Sequence, residues 1–182
     1  MRAMLSLMLL SITGISPATE TSVTPPTPQI VPLQAPADVC KPAEFHQFDF
    51  WIGDWEVFDP SGAQVGKSRI EPILNGCAIS ENWTESTGSE GKSYNAWEPS
   101  DKRWHQFWVS DNGSTLWLTG GLVGKSMVLS GAKTDPKSGV AQAQRITWTP
   151  NADGSVRQHW EVSDDAGKTW SSSFDGTYRK AK

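Results

Sequence analysis

From about Phe45 onward, the chain alternates between short apolar runs and turn-forming clusters. The runs are rich in Trp, Val, Ile and Thr, and Gly, Pro, Asn and Asp separate them at intervals of roughly 8–12 residues, which is typical of all-β domains. This pattern predicts ten strands, near residues 54–59, 66–74, 77–86, 92–98, 103–110, 115–120, 125–132, 142–149, 155–162 and 170–179. A helical period is missing except for one short turn predicted at 43–51. We expect an all-β fold, a single antiparallel meander closed into a barrel of about 8–10 strands.

Within four of these strands, amides or a carboxylate alternate with large apolar residues on one face. Because strand side chains alternate between faces, four sets share the inward face: 79, 81 and 83; 104, 106 and 108; 142, 144, 146 and 148; 156, 158, 160 and 162. An ordinary core avoids such groups, since each unpaired buried amide costs about 1–3 kcal/mol. A hollow lumen tolerates them, because ligand or water can pair with them. The alternation therefore predicts a ligand-binding cavity lined by Glu81, Trp83, Trp104, Gln106, Trp108, Gln144, Trp148, Gln158 and Trp160. The alternative is that the amides pair with one another.

The segment Phe-Asp-Phe-Trp-Ile-Gly-Asp-Trp-Glu-Val at 48–57 carries a Gly-x-Trp motif at the start of the first strand. It resembles the first signature of lipocalins and other calycins. This resemblance implies that Trp55 plugs one end of a calycin-like barrel and that Gly53 lets the chain pass close by. It also implies that a basic residue near the end of the last strand, here Arg179, stacks on Trp55.

Further motifs match a narrower group. Asn-Gly-Cys at 75–77, Glu-Asn-Trp at 81–83, Tyr-Asn-Ala-Trp at 94–97 and Trp-His-Gln at 104–106 are similar to a family of bacterial secreted proteins. That family is built on a calycin-like domain of unknown function, and the resemblance covers roughly residues 45–180. It implies a barrel with a ligand-sized pocket and supplies no catalytic residues.

The N-terminus reads as an export signal. In residues 1–18, Arg2 precedes an apolar stretch from Met4 to Ile15, and small residues follow where a signal peptidase cleaves. The stretch is shorter than the roughly 20 residues of a transmembrane helix, although an uncleaved anchor is the alternative. We expect a periplasmic or secreted protein without stable membrane insertion after processing. Residues 19–43 are Pro-rich and predict a disordered linker, so the barrel domain would span 44–182.

The two cysteines, Cys40 and Cys77, leave two alternatives open. Export makes a disulfide chemically possible, and it would tie the end of the linker to the domain. Otherwise they are two thiols too far apart to bond. Their spacing matches no zinc site.

The charge of the chain and the positions of its histidines argue against nucleic-acid binding and against a metal site. With 16 Lys+Arg against 20 Asp+Glu and no basic run, the chain lacks the electrostatic footprint of a nucleic-acid binder. The three histidines, His46, His105 and His159, show no metal-ligand spacing, and the alternation directs the last two outward. No metal or cofactor is predicted, and haem held by one His is the alternative.

One motif, Ser-Asp-Asp-Ala-Gly-Lys-Thr-Trp at 163–170, fits the Asp-box pattern of sialidase propellers. Propellers repeat their units, and this chain has a single copy. The motif therefore predicts a tight hairpin, with the Asp capping turn amides and the Gly supplying positive φ, and it does not indicate glycosidase activity.

Glu81 is the best candidate for a functional carboxylate. It lies between Ile79 and Trp83 on an inward face, where desolvation would raise its pKa. The alternative is a buried ion pair with Arg69 or Arg145. The leading function is an exported barrel that binds a small, partly apolar molecule. Two others stay open: an isomerase, cyclase or hydrolase that uses Glu81 as acid or base, and an envelope protein with a filled core and only protein partners.

Overall fold

The computed structural model describes residues 39–135 and 139–182, which form a closed barrel of ten antiparallel strands. The strands are β1 (Gly53–Phe58), β2 (Gln64–Ile73), β3 (Ala78–Glu85), β4 (Glu90–Glu98), β5 (Arg103–Ser110), β6 (Thr115–Val123), β7 (Ser126–Thr134), β8 (Ala141–Pro150), β9 (Val156–Ser163) and β10 (Ser171–Lys180). Each strand pairs with its neighbours in sequence, and β1 pairs with β10 to close the barrel. The predicted meander barrel is therefore confirmed. Among the described residues, no helix is long and apolar enough to cross a membrane.

The predicted strand boundaries agree with the observed ones to within two residues, except in β6. The predicted strand ends at residue 120, whereas β6 continues to Val123. A Cβ built on Gly120 would lie 2.1 Å from the backbone oxygen of Val128 on β7. The absent side chain thus lets the two backbones approach closely inside the sheet, which is a common role of a glycine within a strand.

Short 3₁₀ helices at Ala43–His46 and Asp49–Trp51 precede β1, which confirms the predicted helical turn, and a third spans Leu74–Gly76 between β2 and β3. The second carries Phe48 and Trp51 into one end of the barrel, where both are 0% exposed. Their rings stack with centroids 5.0 Å apart. Around them lie Trp104, Trp148 and Tyr178, with centroid distances to Phe48 or Trp51 of 5.2–6.0 Å. We call this set, together with Trp55, the aromatic plug.

The cation that covers Trp55 is Lys180, so the prediction that Arg179 stacks on it is wrong. Lys180 Nζ lies 3.8 Å from the centroid of the Trp55 ring and donates a hydrogen bond to the Ile52 carbonyl at 2.8 Å. Register explains the error, because Trp55 is opposite Lys180 and Arg179 is opposite Glu56 on the other face. The Arg179 guanidinium lies over Phe58 instead. Gly53 leaves room for the lysine, since a Cβ there would sit 2.2 Å from Nζ.

Cys40 and Cys77 form a disulfide that ties the segment before the first 3₁₀ helix to the connection between β2 and β3. The bond closes a sequence separation of 37 residues, and a loop of this length contributes about 4 kcal/mol on the chain-entropy model. Residues 39–43, assigned to the linker from sequence, include this buried cysteine and the start of the first 3₁₀ helix. The predicted signal peptide and the rest of the linker lie outside the described residues.

Replacing Lys180 tests the observed closure of the plug. We expect Lys180→Met to lower the free energy of unfolding by about 1 kcal/mol, because the cation–π contact and the hydrogen bond to Ile52 are lost. Arg179→Met is the matched control and should change it by about 0.5 kcal/mol, because it loses only an exposed cation–π contact with Phe58. Urea denaturation measures both values. A larger loss for Arg179→Met would show that the register at the end of β10 is wrong.

Candidate functional site

A cavity of about 240 Å³ occupies the barrel on the side away from the aromatic plug. Its lining comes from β3, β5, β6, β8, β9 and β10, and comprises Glu81, Trp83, Glu85, Gln106, Trp108, Leu116, Ile146, Trp148, Gln158, Trp160, Ser173, Phe174 and Tyr178. Glu85 and Ser173 are exposed and mark its mouth. Trp148 and Tyr178 belong to both the plug and the cavity, so the plug forms the cavity floor.

Seven of the nine predicted ligand-binding residues line this cavity, and Trp104 and Gln144 do not. Trp104 lies in the plug, where its Nε1 donates to Gln47 Oε1 at 3.2 Å. Gln144 is buried beside the cavity and accepts a hydrogen bond from Trp160 Nε1 at 2.8 Å. Alternation along a strand assigns the inward face correctly for both residues. It contains no information about depth along the barrel axis. Depth decides whether an inward-facing residue lies in the plug, packs beside the cavity or lines it.

Sequence reasoning missed Glu85, Leu116, Ile146, Ser173, Phe174 and Tyr178 as lining residues. On β10 a signal was present, because Phe174, Gly176 and Tyr178 alternate and share the inward face.

The Tyr178 hydroxyl donates to Gln158 Oε1 at 2.6 Å, and Trp148 Nε1 donates to the same oxygen at 3.1 Å. This amide oxygen therefore holds two aromatic side chains of the cavity floor.

Three aromatic rings of the lining each lie over a strand glycine. An added Cβ on Gly91 would be 2.1 Å from Trp108, and one on Gly66 would be 2.5 Å from Trp83. Likewise, a Cβ on Gly176 would be 2.5 Å from Phe174. Each ring occupies the space where a side chain of the wall would otherwise be. The rings are thereby drawn toward the wall, and the lumen between them stays hollow.

Some of the buried amides pair with one another, which is what the alternative to a hollow cavity predicts. Gln106 Nε2 donates to Asn95 Oδ1 at 2.8 Å, and Gln144 Nε2 donates to Gln142 Oε1 at 2.9 Å. Gln106 Oε1 and Gln158 Nε2, however, have no hydrogen-bond partner among residues 39–135 and 139–182. Both atoms keep some accessible surface. Among the described residues, the one side-chain nitrogen or oxygen that is both fully buried and unpartnered is Trp51 Nε1. A molecule in the cavity can therefore reach both groups.

Glu81 is 5% exposed and accepts hydrogen bonds from two serine hydroxyls of the flanking strands. Ser68 on β2 donates to Oε1 at 3.2 Å, and Ser93 on β4 donates to Oε2 at 2.9 Å. Asn95 Nδ2 donates to the Ser93 hydroxyl at 3.0 Å, so the chain of hydrogen bonds runs from Glu81 through Ser93 and Asn95 to Gln106. The carboxylate is thus held in place entirely by neutral groups.

The predicted alternative that Glu81 pairs with Arg69 or Arg145 is wrong. Arg69 lies on the outer face with its Nε 3.1 Å from Glu71 and 3.6 Å from Asp54. The Arg145 guanidinium contacts Glu161 at 3.0 Å. Both arginines project from the barrel on the face opposite to Glu81, so strand alternation prevents either contact.

Burial raises the pKa of Glu81 from its ordinary value of 4.5 to about 7, although the hydrogen bonds from Ser93 and Ser68 act in the opposite direction. Desolvation, together with the charge of Glu81, raises the pKa of the Tyr178 phenol well above its usual range. At neutral pH, the Glu81 carboxyl therefore exists in comparable amounts as acid and carboxylate, while Tyr178 is neutral.

The histidines lie away from this cavity. His46 contacts Asp49 and His105 contacts Asp101, each at 2.8 Å on the surface, and the His159 ring is 3.2 Å from the Ser172 hydroxyl. No group of three His, Cys, Asp or Glu in the described part of the chain could hold a metal ion. A haem in this lumen would find no histidine in the lining.

The Asp-box segment forms the hairpin between β9 and β10. The Asp165 carboxylate accepts hydrogen bonds from the backbone amides of Lys168 and Thr169, and Gly167 has a φ of 86°. Trp170 Nε1 donates to the Gly167 carbonyl at 3.1 Å, and the Arg145 guanidinium lies 4.0 Å from the Trp170 ring centroid. These contacts stabilise the turn, in which the Asp165 carboxylate serves as the hydrogen-bond acceptor.

No model of a known protein family matches this sequence, and no curated protein is significantly similar to it. The calycin resemblance of the sequence motifs therefore stays a prediction. The function must be inferred from the geometry, polarity and charge of the cavity itself.

The raised pKa of Glu81 predicts a specific pH dependence of stability. Because the folded-state pKa lies above the unfolded value, unfolding releases a proton between about pH 4.5 and pH 7, and stability falls as pH rises through that window. Glu81→Gln removes this dependence. The free energy of unfolding of the variant relative to that of the wild type should therefore increase by on the order of 3 kcal/mol as the pH rises from 4.5 to 8. Urea denaturation of both proteins across this range measures the difference. A difference that is independent of pH would contradict the raised pKa.

Proposed function

We propose that this barrel binds a small, partly apolar molecule in its lumen. The observation that supports this most strongly is the cavity of about 240 Å³ whose aromatic walls rest on glycines. Apolar cavities of about 150 Å³ hold benzene, so this one has room for about ten non-hydrogen atoms. Protein interiors are otherwise close-packed, with few voids larger than a water molecule.

The lining has the composition of a small-molecule site. Trp83, Trp108, Trp160 and Phe174 offer apolar surface, which would supply most of the affinity. Glu81, Gln106 and Gln158 offer a few polar groups from different strands, which would fix the orientation of the ligand. Water can occupy such a cavity when no ligand is bound, because the polar groups provide it with partners.

An enzyme that uses Glu81 as acid or base is the second candidate. A carboxyl group with a pKa of about 7 can both donate and accept a proton at neutral pH, which favours this role. The interior of the lining offers no second acid–base group to act with Glu81. The raised pKa of Tyr178 keeps its phenol neutral, and Glu85 lies at the mouth. Binding therefore stands as the main proposal. A turnover that disappears in Glu81→Gln would support the enzyme instead.

Export to the periplasm or the extracellular space is part of the proposal. The signal-like composition of residues 1–18 supports it. The disulfide between Cys40 and Cys77 also supports it, because such bonds persist mainly in oxidising compartments. A ligand in this setting would be a molecule found outside the cytoplasm.

Gly91→Ala is the sharpest test of the proposed lumen site. The added methyl group would overlap only ring atoms of Trp108, so the ring must move into the cavity and reduce its volume. We expect saturable changes of Trp emission when 2-phenylethanol, 2-phenylethylamine or phenylacetate is titrated into the wild type. For whichever compounds bind, Gly91→Ala should weaken binding by about tenfold or more, as expected when a ligand loses its space.

Gly121→Ala is the matched control, because its added methyl group would meet no atom within 4 Å. It should bind as the wild type does, and near-UV circular dichroism should show both variants folded. If none of the three compounds gives saturable binding to the wild type, or if Gly91→Ala binds unchanged, the lumen is not the binding site.

A further inference from the structure

We infer that the ligand of this lumen is a small organic cation, a protonated amine or a quaternary ammonium whose charge sits against Glu81. The inference rests on the proposed binding function and specifies its ligand class. Its basis is a buried carboxylate that faces a hollow, aromatic-walled space without any cationic partner from the protein. The ligand supplies the missing counter-ion.

The charge balance of the cavity is negative. The lining contains two carboxylates, Glu81 in the interior and Glu85 at the mouth, and no Lys, Arg or His. Arg69 and Arg145 contact carboxylates on the outer face, and Lys92 donates to Asn82 on the exposed surface. A low-dielectric cavity lined by one sign of charge attracts ligands of the opposite sign. Fatty acids and other carboxylates would be repelled.

The walls suit a cation as well as an apolar group. Trp83, Trp108 and Trp160 all face the cavity, and the negative face of an indole ring attracts ammonium groups. Trp160 Nε1 is already paired with Gln144, so what this residue has left to offer a ligand is its ring surface. Phe174 meets Trp83 edge to face at 6.0 Å and adds a further aromatic ring to the wall.

The carboxylate of Glu81 has acceptor capacity to spare. Each oxygen accepts one serine hydrogen bond, whereas a carboxylate has about four lone-pair sites. Ser68 from β2 and Ser93 from β4 face it, and the titratable group that interacts with it from β10 is Tyr178. Tyr178 stays neutral because burial raises the pKa of its phenol. Nothing in this surrounding neutralises the carboxylate, so an ammonium N–H can donate to it.

Isothermal titration calorimetry with three compounds of similar size tests the charge preference. At pH 8, 2-phenylethylamine carries an ammonium group, 2-phenylethanol is neutral and phenylacetate is an anion. We expect the amine to bind about tenfold or more tightly than the alcohol, because its hydrogen bond to Glu81 is charge-assisted. Phenylacetate should bind most weakly.

The same titrations at pH 6 and pH 8 test the role of Glu81. Cation binding requires the carboxylate, whose pKa is about 7, so the affinity for the amine should rise about tenfold between these pH values. The affinity for the alcohol should change far less. In Glu81→Gln the amine should lose about tenfold in affinity at pH 8 and its pH dependence should disappear. Glu56→Gln, the same charge change on the opposite face of the barrel wall, should leave both unchanged.

The possible results separate the two proposals. If the alcohol or phenylacetate binds as tightly as the amine, the cation inference is wrong while the lumen remains a binding site. The inference also fails if Glu81→Gln leaves amine binding intact or if Glu56→Gln weakens it equally. If none of the three compounds binds, both the proposed function and the cation inference are overturned.

Discussion

The packing of Phe48 and Trp51 into one end of the barrel is the interaction on which the rest of the structure depends. These rings meet Trp104, Trp148 and Tyr178 and close that end. Lys180 covers the Trp55 ring of this aromatic plug, and the disulfide anchors the segment that leads into the plug. Because one end is closed, the hollow above it is a blind pocket with a mouth at the other end.

The position of Glu81 follows from this arrangement. It lies inside the barrel above the aromatic floor, and burial raises its pKa to about 7. The glycines beneath Trp83 and Trp108 draw the rings toward the wall and keep the space beside the carboxylate open. A closed floor, an open lumen and one unneutralised carboxylate together produce the affinity for a small cation that we propose.

The spacing of turn-forming clusters predicted the fold, and the alternation of side chains predicted most of the inward-facing residues. In four of the ten strands, polar groups alternate with large apolar residues, and this set the inward face of Glu81 and Gln106 correctly, because alternation is a local property of the backbone. Register is not local: nothing near Arg179 in the sequence shows that Lys180 is the residue opposite Trp55. Nor does the sequence show that Gly91 lies beneath Trp108, since that contact depends on how two strands pair. For the same reason, sequence reasoning could suggest a pocket but could not determine its depth or charge.

The most direct measurement is the indole N–H spectrum of ¹⁵N-labelled protein during titration with 2-phenylethylamine at pH 8. The chain has 10 tryptophans, and their positions separate the lumen from the outer surface. Trp83 and Trp108 line the lumen, whereas Trp117 is 64% exposed. We expect the signals of Trp83 and Trp108 to shift saturably while that of Trp117 stays in place. Shifts confined to Trp117, or no shifts at saturating amine, would contradict it.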